Sequence, residues 1–423
     1  MHDKFSPYQR FVIALLALTQ FTVVLDFMVM SPMGDILIKA LDITPAQFGA
    51  AVSAYAFSAG ISGLLAAGFA DKYDRKRLLL FFYTGFILGT VFCGLAPNYP
   101  ALVAARIFTG VFGGVISSIA MAIVADLFHI SQRGRVMGIV QTGFAASQVL
   151  GIPIGLIIAT HWGWHFTFLL IAGLGLAISI VMLQWMRPVD LHLKLQTEHN
   201  AVQHLLKTFS VKTYRQAFMT TALLGIGGFL LMPFGSAFLV NNVGISQEQL
   251  PLVFMSTGIF SLVAMPVMGK LSDKVDKFRL FTIGSLWAVI WMLVYTSLPV
   301  VPLWAVILVN ILLFVGIMSR MVPAMAIMSS VPVMADRGAF MSINTSLQQI
   351  AGGIAASFAG LIVVQADKNS PIEHYPVLGV VGAVIVLICI WLMNRIRNSR
   401  RQIEAVEKMP EPQAAEPALL ENS

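Results

Sequence analysis

Apolar residues run along this chain in long blocks separated by short polar loops. A helix needs roughly 20 apolar residues to cross a bilayer. Twelve such spans can be drawn, at 11–33, 46–70, 77–96, 99–125, 135–160, 163–186, 216–241, 247–269, 279–298, 302–329, 335–364 and 375–396. Several contain Gly and Pro, which membrane helices tolerate where neighbours satisfy the freed backbone groups. A transmembrane barrel is excluded, because it would show ten-residue alternations in place of continuous apolar runs. The pattern predicts an all-α membrane protein.

Composition strengthens this reading. Of 423 residues, 57% are hydrophobic and 11% charged, against about 25% charged in soluble domains. The mean hydropathy is +0.82. The net charge of +7 is laid out as topology and does not form a nucleic-acid patch. Lys and Arg fill the loops "DKYDRKR", "HISQRGR" and "GKLSDKVDKFR", the 187–215 connector and the end "NRIRNSRR". The alternate loops "APNYP", "HWGWH", "NNVGISQEQ" and "LPVVP" carry neither. Positive loops mark the cytoplasmic side, so a cell-membrane protein with both termini cytoplasmic is expected. The first span is too long for a signal-peptide core and reads as a membrane helix.

The two cysteines, Cys93 and Cys389, both fall inside spans and read as small packing residues. His161 and His165 bracket "WGW" without further ligands, so no metal site is expected. No phosphate-binding GxxxxGK[ST] loop and no nucleophile–base pair is present. Neither ATP drive nor enzyme chemistry is expected, and no cofactor.

The chain also repeats itself. "ADKYDRKR" after span 2 matches "SDKVDKFR" after span 8, and "QRGRVMGIVQT" matches "DRGAFMSINTS". The offsets are 202 residues (Asp71 to Asp273) and 204 (Gln132 to Asp336). Internal repeats of membrane helices are a transporter signature, with the substrate site near the midplane between them. The expected organisation is a six-helix bundle at 1–186, a cytoplasmic linker at 187–215, a second bundle at 216–400 and a disordered tail at 401–423.

These motifs resemble the major facilitator superfamily over spans 1–12. Its loop signature GxLADxxGRK stands here as "AGFADKYDRK", with Asp71 at the acidic and Arg75 at the basic position, and Asp74 in place of the second Gly. The second copy, "GKLSDKVDK", keeps Gly269, Asp273 and Lys277. Span 4 carries "RIFTGVFGG", similar to the RxxxG element, with Arg106 and Gly110. Span 5 resembles the antiporter pattern GxxxGPxxGG imperfectly, through Ser147, Gly151, Pro153 and Gly155. Small residues at this spacing also let helices pack closely. The stretches "LDFMVMSPMGD" and "RMVPAMAIM…RGAFMSINTSLQQ" resemble the bacterial sugar-efflux-permease-like branch, which sits beside the twelve-helix drug:proton antiporters. The resemblance implies two pseudo-symmetric six-helix bundles working by alternating access. Asp71 is expected to face the N-terminus of span 11, and Arg75 to reach Asp126, forming with Asp273 and Lys277 a cytoplasmic latch; the alternative is that these charges only set topology.

Asp26 stands alone in the first span, "TQFTVVLDFMVMSP". With span 1 ending near Met33, Asp26 and Arg106 both lie roughly 10 Å below the outer face. The superfamily fold makes spans 1 and 4 neighbours, so the two are expected to pair. Asp26 is expected to line the central cavity and exchange protons there, the alternative being a permanent brace. Arg320 is a second intramembrane charge without an obvious acid at its depth. It could contact an anionic substrate, cap carbonyls freed by Pro323, or snorkel. Gln141, Gln148, Asn344 and Gln348 are candidate cargo contacts, or bonds between helices.

The expected activity is proton-coupled efflux of small organic molecules, drug-like or sugar-like. Proton-coupled uptake is the alternative, and a non-transporting receptor or scaffold a more distant one. The partners are the lipid bilayer, protons and a small organic substrate, with no nucleic acid. The protein is expected to be a monomer.

Overall fold

The computed structural model describes residues 5–66, 72–190, 193, 201–333 and 336–407. Its helices in the first half are α1 (Pro7–Val29), α2 (Gly34–Leu41), α3 (Pro45–Ala66), α4 (Arg75–Gly94), α5 (Tyr99–Leu127), α6 (Ile130–Ala146), α7 (Ile152–Trp162) and α8 (Trp164–Trp185). After α9 (Ala201–Ser210), the second half contains α10 (Lys212–Phe229), α11 (Gly235–Asn241), α12 (Leu250–Lys274), α13 (Lys277–Thr296), α14 (Leu303–Ser329), α15 (Arg337–Ile362) and α16 (Tyr375–Glu407). Among the described residues, eleven helical stretches are long and apolar enough to cross a membrane, including the joined α6–α7 and α10–α11. The twelfth span is α15, whose apolar character is diluted by Ser342, Asn344, Thr345, Ser346, Gln348 and Gln349.

Several boundaries differ from the sequence reading, and α16 runs on to Glu407, so residues 401–407 continue the last helix where a disordered tail was expected. The first helix stops at Val29, four residues before Met33, and a turn leads into the short α2. Pro32 disfavours a continuous helix there. The fifth span is broken by a π-helical segment, Ser147–Gly151, in which the Ile152 amide bonds back to the Ser147 carbonyl. Pro153 stands two residues beyond it and lacks the N–H that a regular turn would use. The linker ends at Val211, because α10 already begins at Lys212.

The repeat is visible at single atoms. Asp74 caps α4 by accepting from the Arg77 amide at 2.8 Å, and Asp276 caps α13 by accepting from the Arg279 amide at 2.8 Å. The packing repeats as well. In the first bundle α1 packs on α6 and α8, α4 on α5 and α8, and α3 on α5. In the second, α10 packs on α15 and α16, α13 on α14 and α16, and α12 on α14.

The two bundles meet along two seams, α3 with α15 and α12 with α7 and the π segment. The face opposite the chain termini, the distal face, holds one apolar core drawn from both bundles, with Met30, Met33, Phe48 and Trp164 beside Phe234, Phe238, Tyr295 and Tyr375. Towards the terminal face the core divides. One cluster lies within the first bundle, around Leu79, Phe86, Ile119 and Val140, and another within the second, around Phe218, Phe281, Phe340 and Met393. Close van der Waals packing is a main cohesive force between such surfaces inside a bilayer. The shared apolar core is therefore distal; towards the other face each bundle keeps its own core, while the α3–α15 seam still joins them at Gly63 and Ser346.

Candidate functional site

α1 and α5 bring Asp26 and Arg106 together. Arg106 Nη1 donates to Asp26 Oδ2 at 2.8 Å, and both side chains are fully enclosed. The hydroxyl of Thr90 on α4 donates to Asp26 Oδ1 at 3.2 Å. The guanidinium lies 4.4 Å from the ring centroid of Tyr55 on α3, a cation–π contact. Glycines make this close approach possible: at Gly110 a Cβ would fall 2.5 Å from the Tyr55 carbonyl oxygen, and at Gly113 2.6 Å from the Tyr55 hydroxyl. Nε and Nη2 of Arg106 have no hydrogen-bond partner among the described residues.

The expectation that Asp26 lines an open cavity does not fit this conformation. Asp26 is three residues from the end of α1 and is sealed from above. The seal is aromatic: Phe27 stacks on Tyr55 with centroids 5.3 Å apart and meets Phe229 of the second bundle at 5.8 Å. Asp26 and Arg106 sit in the same bundle, so rocking the bundles does not pull them apart.

A second polar cluster joins the bundles at the distal face. Asp35 on α2 is buried and holds Lys39 at 2.9 Å. Asn241 of α11 donates to Asp35 Oδ1 at 2.6 Å, and Gln247 donates to Oδ2. Lys39 also donates to Asn241 Oδ1 at 3.3 Å. This knot was missed in the sequence, where 34–45 read as a loop. The spacing of Asp35 and Lys39, one helical turn apart, was the available signal.

The residues expected to form the terminal-face latch are partly described. Arg75 Nε donates to Asp126 Oδ2 at 3.2 Å, tying α4 to the end of α5 within one bundle. Asp74 also accepts from the Val189 amide at 2.9 Å, fastening the loop to the chain beyond α8. Lys277 is exposed at the start of α13. Asp71 and the side chain of Asp273 lie outside the described residues.

The span-5 motif forms the π segment and the turn after it. Ser147 donates to the Phe144 carbonyl at 2.7 Å. A Cβ at Gly151 would fall 2.6 Å from Leu25 of α1, and one at Gly155 2.8 Å from Val29. Pro153 is buried beside them. Val149 seats Gly258 of α12, closing the second seam. Gln148 is half-buried, with Nε2 3.8 Å from Met28 Sδ, and Gln141 is exposed.

In the second bundle, Asn344 of α15 accepts from Thr221 of α10 at 2.6 Å, and Gln348 is half-buried on the same helix. Arg320 of α14 is buried to 3%, and its Nη2 has no hydrogen-bond partner among the described residues. Asn310, higher on α14, donates to Thr257 of α12 at 2.7 Å.

The family model described as Major Facilitator Superfamily matches residues 16–356 and, in a second match, 217–420. The chain belongs to the Major Facilitator Superfamily. It is 27% identical over 384 residues to the uncharacterized MFS-type transporter YbcL of Bacillus subtilis, covering 90% of this chain and 95% of that one. It is 26% identical over 331 residues to the uncharacterized MFS-type transporter YtbD of the same organism, covering 76% and 82%. Among solved structures, a bacterial homolog of the human lysosomal transporter Spinster, inward-facing and occupied, aligns with a TM-score of 0.75 at 16% identity, over 93% of this chain and 98% of that one. A D-xylose-proton symporter aligns with a TM-score of 0.73 at 18% identity, over 90% and 97%. At these identities the solved structures speak for the fold alone. This superfamily member is a multi-pass membrane protein and a secondary transporter.

Proposed function

We propose that this superfamily member exports small organic molecules in exchange for protons, in the plasma membrane with both termini in the cytoplasm. The terminal face is then the cytoplasmic one, and the structure is an inward-facing state. The observation that carries the reading is the enclosed pair of Asp26 and Arg106, 2.8 Å apart beneath the Phe27–Phe229 contact. A carboxylate that is dry in one state and wet in the other changes its proton affinity with the state. Distal opening lifts Phe229 away, and Asp26 is then reached from outside. Closure returns it to Arg106 and Thr90. The proton gradient is the energy source, and a monomer contains every residue named here.

Export is favoured over uptake by the span-5 segment, where the antiporter-like residues form a π turn that touches α1, within one turn of Asp26 through Leu25, and α12. π turns recur at functional sites. Proteoliposomes with an imposed pH gradient test the proposal. Wild-type protein should move cargo against the proton flow, and Asp26→Asn should lose the coupled flux while eluting as a folded species. Undiminished proton-driven flux in Asp26→Asn would remove Asp26 from the mechanism, and cargo moving with the protons would reverse the direction.

A further inference from the structure

We propose that α9, the helix of the connector between the bundles, lies in the membrane surface at the terminal face and binds the headgroups of anionic phospholipids there. Neither the cargo nor the direction of transport enters into it.

The sequence of α9, "AVQHLLKTFS", puts apolar residues at 202, 205, 206 and 209, the i, i+3, i+4, i+7 spacing of a single helical stripe. Protein covers part of that stripe. Leu205 packs against the terminal-face core of the second bundle, and the Phe209 ring stacks on Phe218 of α10 with centroids 5.8 Å apart. Polar contacts fix the helix in this place. His204 Nε2 lies 3.0 Å from Asp336 Oδ1 at the start of α15, and the Tyr214 hydroxyl of α10 donates to Asp336 Oδ2 at 3.0 Å. The rest of the stripe is open: Leu206 is 64% exposed and Phe209 51%.

The depth of this open part follows from the chain. α9 ends at Ser210, and the membrane-crossing stretch that contains α10 begins at Lys212. Phe218 stands six residues further on, roughly 9 Å along the helix. The Phe209 ring stacked on it is therefore at the membrane boundary and not out in water. An amphipathic helix at that level settles its apolar stripe between headgroups and acyl chains. The bilayer itself supplies the missing cover.

Charge selects the kind of lipid. Residues 201–215 contain Lys207, Lys212 and Arg215 and no Asp or Glu. All three cations are exposed, and none of the ion pairs among the described residues includes them. Lys212 and Arg215 share a face of α10 with Met219, which is 52% exposed. That face passes from cations to an apolar side chain within two turns, as a surface entering a bilayer does. Lys207 stands off the apolar stripe, where its long stem reaches the headgroups. Each Lys or Arg at an anionic membrane surface strengthens binding roughly fivefold. A zwitterionic surface offers these cations no net charge.

The test uses the full chain in nanodiscs, in a background lacking Cys93 and Cys389, with a nitroxide on Leu206→Cys. Dissolved oxygen should relax this label more strongly than a neutral, water-soluble nickel chelate does. Replacing a third of the phosphatidylcholine by phosphatidylglycerol should lower the access of the chelate several-fold, and added salt should reverse the change. Lys207→Gln, Lys212→Gln and Arg215→Gln together should abolish the response to phosphatidylglycerol. In the unlabelled wild type, amide exchange across 201–210 should slow several-fold on the same change of lipid, which reads the contact without any cysteine. A label reached by the chelate as readily as by oxygen would take α9 out of the membrane surface. A label and amides indifferent to phosphatidylglycerol, or a response that survives loss of the three cations, would overturn the anionic-lipid assignment. So would inorganic phosphate that reproduces the response in phosphatidylcholine alone.

Discussion

The two bundles share a backbone plan but not a charge plan. Arg106 is the eighth residue of α5, and Asn310 is the eighth residue of α14. At that shared position the first bundle holds a cation paired with Asp26, and the second holds an amide bonded to Thr257. The cation of the second bundle, Arg320, stands ten residues further along, and its Nη2 has no hydrogen-bond partner among the described residues. Caps and helix pairings, which depend on local backbone chemistry, have kept the repeat. Buried charges have parted.

The largest effect expected from breaking this asymmetry is at Arg106. Arg106→Leu leaves the carboxyl of Asp26 enclosed without its partner, and should cost ~3–5 kcal/mol of stability. Asn310→Leu, at the matching position, breaks a neutral bond and should cost about 1–3 kcal/mol. Thermal unfolding in detergent reads both. Adding Asp26→Asn to Arg106→Leu should restore most of the loss, because the unpartnered carboxyl is then gone. A double variant no more stable than Arg106→Leu would mean that packing against Tyr55, and not charge, is what Arg106 supplies.

Next in size is the distal knot, where the bundles contribute unequally again. The first gives the carboxylate of Asp35, and the second gives the amides of Asn241 and Gln247. Hydrogen bonds to a charged group are worth about 1.5–3 kcal/mol each. Asp35→Ala should shift the population towards distal opening. In a background lacking Cys93 and Cys389, Ser236→Cys, now buried at this interface, should label several-fold faster with an impermeant maleimide added from the distal side. Unchanged labelling would leave the apolar core of Phe48 and Phe234 as the whole of the seal.

These differences explain what the sequence revealed and what it hid. The spans were legible because hydropathy is a bulk property of twenty residues, and most edges fell within a few positions of the helices. Pro32 and Pro153 were printed in the sequence too, but reading them as part of a span hid the turn after Val29 and the π segment. Asp26 and Arg106 were findable because each is alone in an apolar run. Thr90 gave no signal, since a Thr inside a membrane helix ordinarily bonds its own backbone, as this one also does to the Phe86 carbonyl at 2.9 Å. Whether Asp26 is wet or dry was beyond any one-dimensional reading, because its cover includes Phe229, more than 200 residues away.

The smallest predicted effect tests the part of the plan that the bundles share. Asp74 and Asp276 cap α4 and α13 with the same geometry, ψ near 125° and 119°. Replacing an N-cap Asp by Ala costs about 1 kcal/mol. Asp74→Ala and Asp276→Ala should therefore each raise amide exchange locally, at Arg77 and at Arg279, by roughly the fivefold that 1 kcal/mol represents. Asp74→Ala should also speed exchange at Val189, whose amide it holds at 2.9 Å, and so loosen the chain leading into the linker. Unequal effects at Arg77 and Arg279 would show that the repeat has diverged even in its caps. A Val189 amide that stays protected in Asp74→Ala would show that the link between loop and linker is held by the Arg75 amide, which donates to the Val189 carbonyl at 3.0 Å, and not by the acid that the repeat retains.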